Sequence, residues 1–280
     1  MKPGRISMTA RGVASRRAAH QLLDDEPKVL NDPIAVPLLG SEFFADAERH
    51  ADPRSRAFRA WMVARSRFTE DCLAEAVANG VEQYVLLGAG LDTFAYRNPF
   101  PELWVFEVDV PAMQEWKREM LKAASIPEPE NLTFIALDFE HQTLASALDE
   151  AGLDKTRPAF FGWLGVIPYL TLSAFRSTLD LIAAMPAGSG VAFDYSLAYE
   201  ELSPRLVPAA KALAARVAAA GEPFQLFFRS EQMENELHSA GFQRVQQLDS
   251  MDLNERYFSN RKDGLRLFDE GLGKLASGWV

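Results

Sequence analysis

One cysteine, Cys72, stands among 280 residues, so an internal disulfide is excluded. Four histidines beside it are too few for a structural zinc site, and no metal is expected. Positive charge is scarce: 29 Lys and Arg face 39 Asp and Glu, a formal net charge of -10. Binding along a phosphate backbone needs clustered Lys and Arg, so no nucleic-acid partner is expected. No apolar run reaches the ~18 residues of a spanning helix, so no membrane partner is expected either. The opening Met1-Lys2-Pro3-Gly4-Arg5 lacks the apolar stretch of a secretory signal behind it, and a cytoplasmic place is expected. Repeats, low-complexity blocks and long Pro/Gly/Ser linkers are missing too. One structural domain with an N-terminal extension is therefore the expectation.

What remains has globular proportions: 48% hydrophobic, 11% aromatic and 24% charged residues. Residues 1–80 read as helical. A basic helix is predicted over Thr9–Leu23, and Asp32-Pro33 breaks the chain. A long helix follows over Asp52–Asn79, with Asp52 as cap, Pro53 in the first position and Gly80 past the end. On it Phe58, Met62, Arg65, Phe68, Cys72 and Val77 share a side, an apolar face holding one arginine. Cys72 reads as a packed thiol.

From Val81 to the end, short apolar strands alternate with helices. Strands are predicted at Tyr84–Leu87, Trp104–Asp109, Leu132–Ala136, Ala159–Leu164, Gly190–Asp194, Phe242–Leu248 and Leu265–Phe268. Helices are predicted at Pro111–Ala124, Gln142–Ala151, Thr171–Met185 and Ser230–Ala240, the last capped by Ser230, with a helical insert over Pro204–Ala219 after the fifth strand. Such alternation implies an α/β fold with a mostly parallel sheet covered on both faces. In these sheets ligands bind outside the carboxyl ends of the strands.

The strand ends carry the candidate chemistry. Gly88-Ala89-Gly90 follows the first strand and allows close backbone approach to a ligand. Thr93 stands where the third glycine of a dinucleotide fingerprint would be, which lowers the nicotinamide reading. Asp109 ends the second strand about 20 residues further on, the place of a ribose-binding acid; a helix cap is its alternative. Glu107, two residues back on the same face, is a weaker candidate. Asp138-Phe139 ends the third strand and suits an adenine, the carboxylate for its amine and the ring for its face. Arg65 is either paired with Glu70 or Glu75 or free to clamp a ligand carboxylate. Together these groups describe an adenosyl ligand with an amino-acid tail and no pyrophosphate, as in S-adenosyl-L-methionine.

Ala64-Arg65-Ser66-Arg67-Phe68, the run Val85 to Arg97, Val105-Phe106-Glu107-Val108-Asp109, Asn131 to Phe134, Trp163 to Thr171 and Arg256-Tyr257-Phe258 resemble the leucine carboxyl methyltransferase-like family. The bacterial branch of S-adenosylmethionine-dependent methyltransferases, common in actinobacteria, is the closer match, and the likeness covers nearly the whole chain. The resemblance implies a Rossmann-like class I methyltransferase sheet with an antiparallel last strand. It implies that Arg65 holds the cofactor carboxylate and that Gly88, Ala89 and Gly90 line its methionine part. Asp109 takes the ribose, Asp138 and Phe139 flank the adenine, and Arg11 is the nearest counterpart of a basic residue on the first helix. Leu164 stands where the eukaryotic members have a cofactor-contacting glutamate.

Methyl transfer from a sulfonium is an in-line displacement in which alignment and desolvation dominate. A carboxylate acceptor needs no base, whereas a phenol does. None of the histidines (His20, His50, His141, His238) lies in a matching motif, which leans toward a carboxylate on a small molecule or peptide. Tyr169, Asp194 and Tyr195 are the candidates for a catalytic group. Trp163, Tyr169, Tyr195, Tyr199, Phe227 and Phe228 are candidates for an aromatic acceptor pocket. A cofactor-binding protein without turnover and an NAD-dependent oxidoreductase are the alternatives.

Overall fold

The apolar runs become neighbouring strands in the computed structural model, which describes residues 8–40, 52–137 and 142–280. The strands are β1 Gln83–Leu87, β2 Trp104–Asp109, β3 Leu132–Ala136, β4 Phe160–Trp163, β5 Gly190–Ser196, β6 Arg244–Leu248 and β7 Gly273–Trp279. Their order is β3-β2-β1-β4-β5-β7-β6. The first five run parallel, and β7 is antiparallel to both β5 and β6. This is the expected Rossmann-like sheet. The order reverses between β1 and β4, so a crevice forms at the carboxyl end of β1.

Alternate residues of each strand serve two cores. Val85, Leu87, Phe161, Phe193 and Tyr195 join one, and Tyr84, Leu86, Phe160 and Ala192 join the other. Both faces are buried, which is why the strands are apolar throughout rather than alternating.

Helices α1 (Met8–Leu23), α2 (Ala35–Leu39) and α3 (Pro53–Ala78) come from the extension. The α3 start is capped as predicted, Asp52 Oδ1 accepting from the Ser55 N–H at 3.1 Å. Gly80, at φ +93°, follows its end. It packs on β4 and β5 and brings Phe68 and Leu73 into the core. A short 3₁₀ turn, Phe94–Arg97, follows β1. Beyond β2 come α4 (Pro111–Ala123), α5 (Leu144–Glu150), α6 (Leu172–Ala183), α7 (Val207–Ala219), α8 (Ser230–Ala240) and α9 (Ser250–Leu253). No helix among the described residues is long and apolar enough to cross a membrane.

Two local expectations are corrected. Leu265–Phe268 is not a strand, although Leu265 and Leu267 are buried. The Leu265 N–H donates to Asp263 Oδ1 and the Leu267 N–H to Asn254 Oδ1, so side chains hold this segment and no ladder does. The seventh strand lies further on, at Gly273–Trp279. Ser230 does not cap α8 either. It is the first helical residue, and both its N–H and its hydroxyl donate to the Glu201 carboxylate.

Candidate functional site

The glycine turn sits at the carboxyl end of β1, where the sheet order reverses. Gly88 and Gly90 take φ of +69° and +51°, which β-carbon sterics disfavour for other residues. At Gly88 a Cβ would also collide with Val166 Cγ2. The bare backbone is thus wedged between its own turn and the loop after β4.

Asp109 fastens this turn. Its Oδ2 accepts from the Gly90 N–H at 2.6 Å, and its Oδ1 from the Val110 N–H at 2.7 Å. The cap alternative fails, because α4 starts at Pro111 behind Val110 and takes no side-chain cap bond. Burial lifts the Asp109 carboxyl above its ordinary value, against the pull of these two N–H groups.

Glu107 does not share an open face with Asp109. It is buried on α4, its Oε2 2.5 Å from Lys117 Nζ, and its Oε1 has no partner among the described residues. Burial pushes its carboxyl up to about 7; Lys117 opposes the rise, and Asp92 and Asp109 add to it. The side chain therefore belongs to the underpinning of β2.

The extension closes over the turn. Ala10, on α1, has its Cβ 3.4 Å from where a Gly90 Cβ would be. Arg17, two turns later on the same face, donates to the Leu91 carbonyl and to Asp92 Oδ2. Burial works to raise the Asp92 carboxyl, yet Arg17, Arg97, Lys117 and the Phe94 N–H together hold it below its usual range. Thr93, the absent third glycine, donates to Asp32 Oδ2 at 2.7 Å. Asp32 lies 3.4 Å from Arg17 Nε and 3.5 Å from Arg97 Nε. Arg97 binds Glu70 of α3 at 2.9 and 2.5 Å. So α1, the Asp32 loop, α3 and the glycine turn form one buried charge network. Sequence reasoning did not single out Arg17; its candidate on α1 was Arg11, as the counterpart of a cofactor-contacting basic residue. Arg11 is half-buried on α1, beside Ala10. The i, i+4, i+7 spacing of Ala10, Ala14 and Arg17 is the signal that marks the facing side.

Arg65 is 6% exposed on α3, and it pairs with neither Glu70 nor Glu75. Its Nη1 donates to Asp194 Oδ2 at 2.8 Å, at the end of β5. Asp194 Oδ1 accepts from the Gly165 N–H at 2.5 Å. Gly165 takes φ +72°, which other residues disfavour, and a Cβ there would lie 3.3 Å from both Nη atoms, a tight contact. The buried Arg65 Nε has no partner among the described residues. An orphan donor on a buried guanidinium, beside bare backbone, fits a ligand carboxylate. Leu164, just before Gly165, is half-buried and offers no polar atom of its own side chain.

Asp194 and Tyr195 are neighbours on β5 and point to opposite faces. Tyr195 lies in the far core, its hydroxyl 2.5 Å from Gln247 Oε1. Trp163 and Phe228 are likewise buried there. Tyr169 stays half-buried, hydrogen-bonded with Thr9 of α1, and burial raises its phenol. It meets Phe224 edge-on at 5.3 Å, Phe224 meets Phe227, and Phe227 meets Tyr199. Of the expected aromatic pocket, Tyr169, Tyr199 and Phe227 stand together at the strand ends, with Phe224 added. His20 is engaged with Asp24 and the Val29 N–H, and His238 with the Phe242 carbonyl. Asp138 and Phe139, like His50 and His141, lie outside the described residues.

The sequence profile of the family "Leucine carboxyl methyltransferase" matches residues 10–183, from α1 through α6. The chain belongs to that family. It is 32% identical over 297 residues to the Bacillus subtilis (strain 168) protein named "Putative S-adenosyl-L-methionine-dependent methyltransferase YktD", covering 96% of this chain and 97% of that one. A Mycobacteroides abscessus protein with the same name, without the suffix, is 38% identical over 196 residues, 67% of this chain and 63% of that protein. Among solved structures, a DUF574 family protein from Streptomyces avermitilis superposes with a TM-score of 0.56 at 19% identity, covering 87% of this chain and 94% of that one. The likeness extends to the fold alone. This leucine carboxyl methyltransferase relative is an enzyme that uses S-adenosyl-L-methionine, so the nicotinamide and binding-only readings fall away.

Proposed function

We propose that the protein methylates an oxygen of a small molecule or peptide, with a carboxylate acceptor giving a methyl ester. The observation that carries this is the engagement of the groups nearest the strand ends. Asp194 is taken up by Arg65 and Gly165, and burial makes the Tyr169 phenol a weaker acid than usual. This engagement favours an acceptor that needs no base, and a carboxylate, already ionised, asks for none. The net charge of -10 supports a small-molecule or peptide acceptor over a nucleic acid.

When bound, S-adenosylmethionine supplies a methyl group on a sulfonium whose departure as a neutral thioether needs no acid. In this reading Arg65 holds the cofactor carboxylate, Gly88-Ala89-Gly90 lies along its methionine part, and Asp109 takes the ribose hydroxyls. Asp138 and Phe139 flank the base. The helices of residues 1–80 form a lid on the 81–280 unit and exclude water from the turn. Tyr169, Phe224, Phe227 and Tyr199 offer an apolar wall to the acceptor.

Labelled S-adenosylmethionine and a panel of carboxylic acids, phenols and peptides test the acceptor. Label lost on mild alkaline treatment marks a methyl ester. Label that survives it marks an ether or amine and rejects the carboxylate reading. For the ribose contact, Asp109→Ala is expected to weaken S-adenosylhomocysteine binding by about 1–3 kcal/mol in calorimetry. Unchanged affinity removes Asp109 from the site.

A further inference from the structure

Four aromatic side chains at the strand ends are fixed by backbone hydrogen bonds and left partly open. Residues 224–228 lie against the carboxyl end of β5. The Phe228 N–H donates to the Ser196 carbonyl at 3.0 Å, and the Ala198 N–H to the Phe228 carbonyl at 2.9 Å. The same stretch is tied to the loop after β4. The Gln225 and Leu226 N–H groups both donate to the Pro168 carbonyl, and Gln225 Nε2 donates to the Tyr169 carbonyl at 2.7 Å. Phe228 fills the core, whereas its neighbour Phe227 is half-buried and meets Tyr199. The rings run Tyr169, Phe224, Phe227, Tyr199 in steps of 5.3, 6.2 and 5.2 Å, tilted by 61°, 76° and 34°. All four are half-buried, while Trp163, Tyr195 and Phe228 are sealed in the core. The row therefore keeps ring surface within reach of solvent, on a backbone that is already ordered.

We propose that this row receives the body of the acceptor, and that the acceptor is a planar aromatic carboxylic acid of more than one ring. The proposal rests on the carboxylate reading above for the reacting group and adds the part of the molecule that carries it. The row starts beside the glycine turn: the Tyr169 N–H donates to the carbonyl of Val166, whose side chain stands against Gly88. Tilted rings present positive edges and negative faces in turn, which another aromatic ring can match and a saturated body cannot. Each step of the row is one ring-to-ring contact, so a single ring covers only part of it. Charge agrees with an acid. Lys211 of α7 is exposed at the far end, its Nζ 5.8 Å from the Tyr199 centroid, and it makes no ion pair among the described residues. A cation there draws in an anion and disfavours an amine. The Glu222 carboxylate near Tyr169 is engaged, Oε2 accepting from the Thr9 hydroxyl at 2.8 Å. In the transfer one acid oxygen forms the O–CH3 bond as the S–CH3 bond breaks. The electron pair stays on sulfur, and no proton moves.

Four acceptors that cross body with head group test this. 2-Naphthoate and 2-naphthol are planar; decalin-2-carboxylate and 2-decalol share their carbon skeleton but are saturated. With labelled S-adenosylmethionine and the wild-type protein, 2-naphthoate is expected to give a base-labile ester. Its kcat/KM should exceed that of the saturated acid by roughly tenfold or more, the worth of about two aromatic contacts. The double variant Phe224→Leu/Phe227→Leu keeps an apolar wall and removes two rings. It is expected to cut the preference to within about threefold, with S-adenosylhomocysteine binding in calorimetry to show that it is folded. Equal kcat/KM for the two acids in the wild type overturns the proposal and leaves the carboxylate reading standing, a comparison needing no variant. Turnover of 2-naphthol ahead of 2-naphthoate, with base-stable label, overturns both. If neither naphthalene compound is methylated, and neither binds the S-adenosylhomocysteine complex in calorimetry, the row does not hold the acceptor and the proposal falls.

Discussion

Lys117→Met is expected to destabilise the fold by about 3–5 kcal/mol at pH 8, the cost of leaving a buried charge without its partner. Glu107 and Lys117 are each 1% exposed and 2.5 Å apart, so either charge left alone stays buried. The effect should depend on pH in a defined direction. The native Glu107 carboxyl is pushed up to about 7 from an ordinary 4.5, so the native state binds its proton more firmly than the unfolded chain does. Its protonation therefore favours folding. In the wild type this group's contribution is best below about 4.5, declines as pH rises toward 7, and is level above that. Without Lys117 the carboxyl rises further, and at pH 5 it is neutral in the folded state. The loss measured by urea denaturation should accordingly shrink between pH 8 and pH 5. The double variant Glu107→Leu/Lys117→Met removes both charges and should recover most of it. A loss under about 1 kcal/mol at pH 8, or one equal at both pH values, would show that the pair is already neutral or solvated.

The second large effect is expected at Gly88. Alanine there must hold φ near +69° and fit a methyl group against Val166. The left-handed conformation costs about 1–2 kcal/mol, and overpacking adds about 1–3 kcal/mol. Because the strain falls on the turn itself, S-adenosylhomocysteine binding should drop below detection by calorimetry while the protein remains folded at 25 °C. Adding Val166→Ala relieves the clash but leaves the backbone strain, so the double variant should regain stability in part. Normal binding by Gly88→Ala would move the cofactor away from this turn.

How far the sequence carried the structure differs by element. The glycine turn, Asp109 and the strands up to β5 were legible because each is local: an apolar run, then a breaker, then an acid at fixed spacing. The start and end of α3 were legible for the same reason, through Asp52, Pro53 and Gly80. Strand β7 was missed because it carries glycine at Gly273 and Gly278 and a lysine at Lys274, which dilutes its apolar pattern. The buried alternation of Leu265 and Leu267 nearby drew the prediction instead. Arg65 was found as an oddity on an apolar face, but its partner was sought one turn away on the same helix. Asp194 lies 129 residues further on, and only the sheet order, which sets β5 beside β4 and under α3, brings the two together. Arg17 and Asp32 were hidden in the same way. Their roles depend on docking of the extension, which no short-range pattern records.

The place of β7 has a consequence for how the chain is made. It is inserted between β5 and β6, and both are synthesised before it. Until Gly273–Trp279 leaves the ribosome, β5 presents a bare edge along its whole length and β6 has no neighbour to pair with. An open edge of this kind invites pairing with other chains. The nascent protein thus passes through a stage in which β1 to β5 can assemble while β5, buried along nearly its whole length in the finished fold, is still exposed on one side. That is a window for chaperone contact or misassembly, and one strand shuts it.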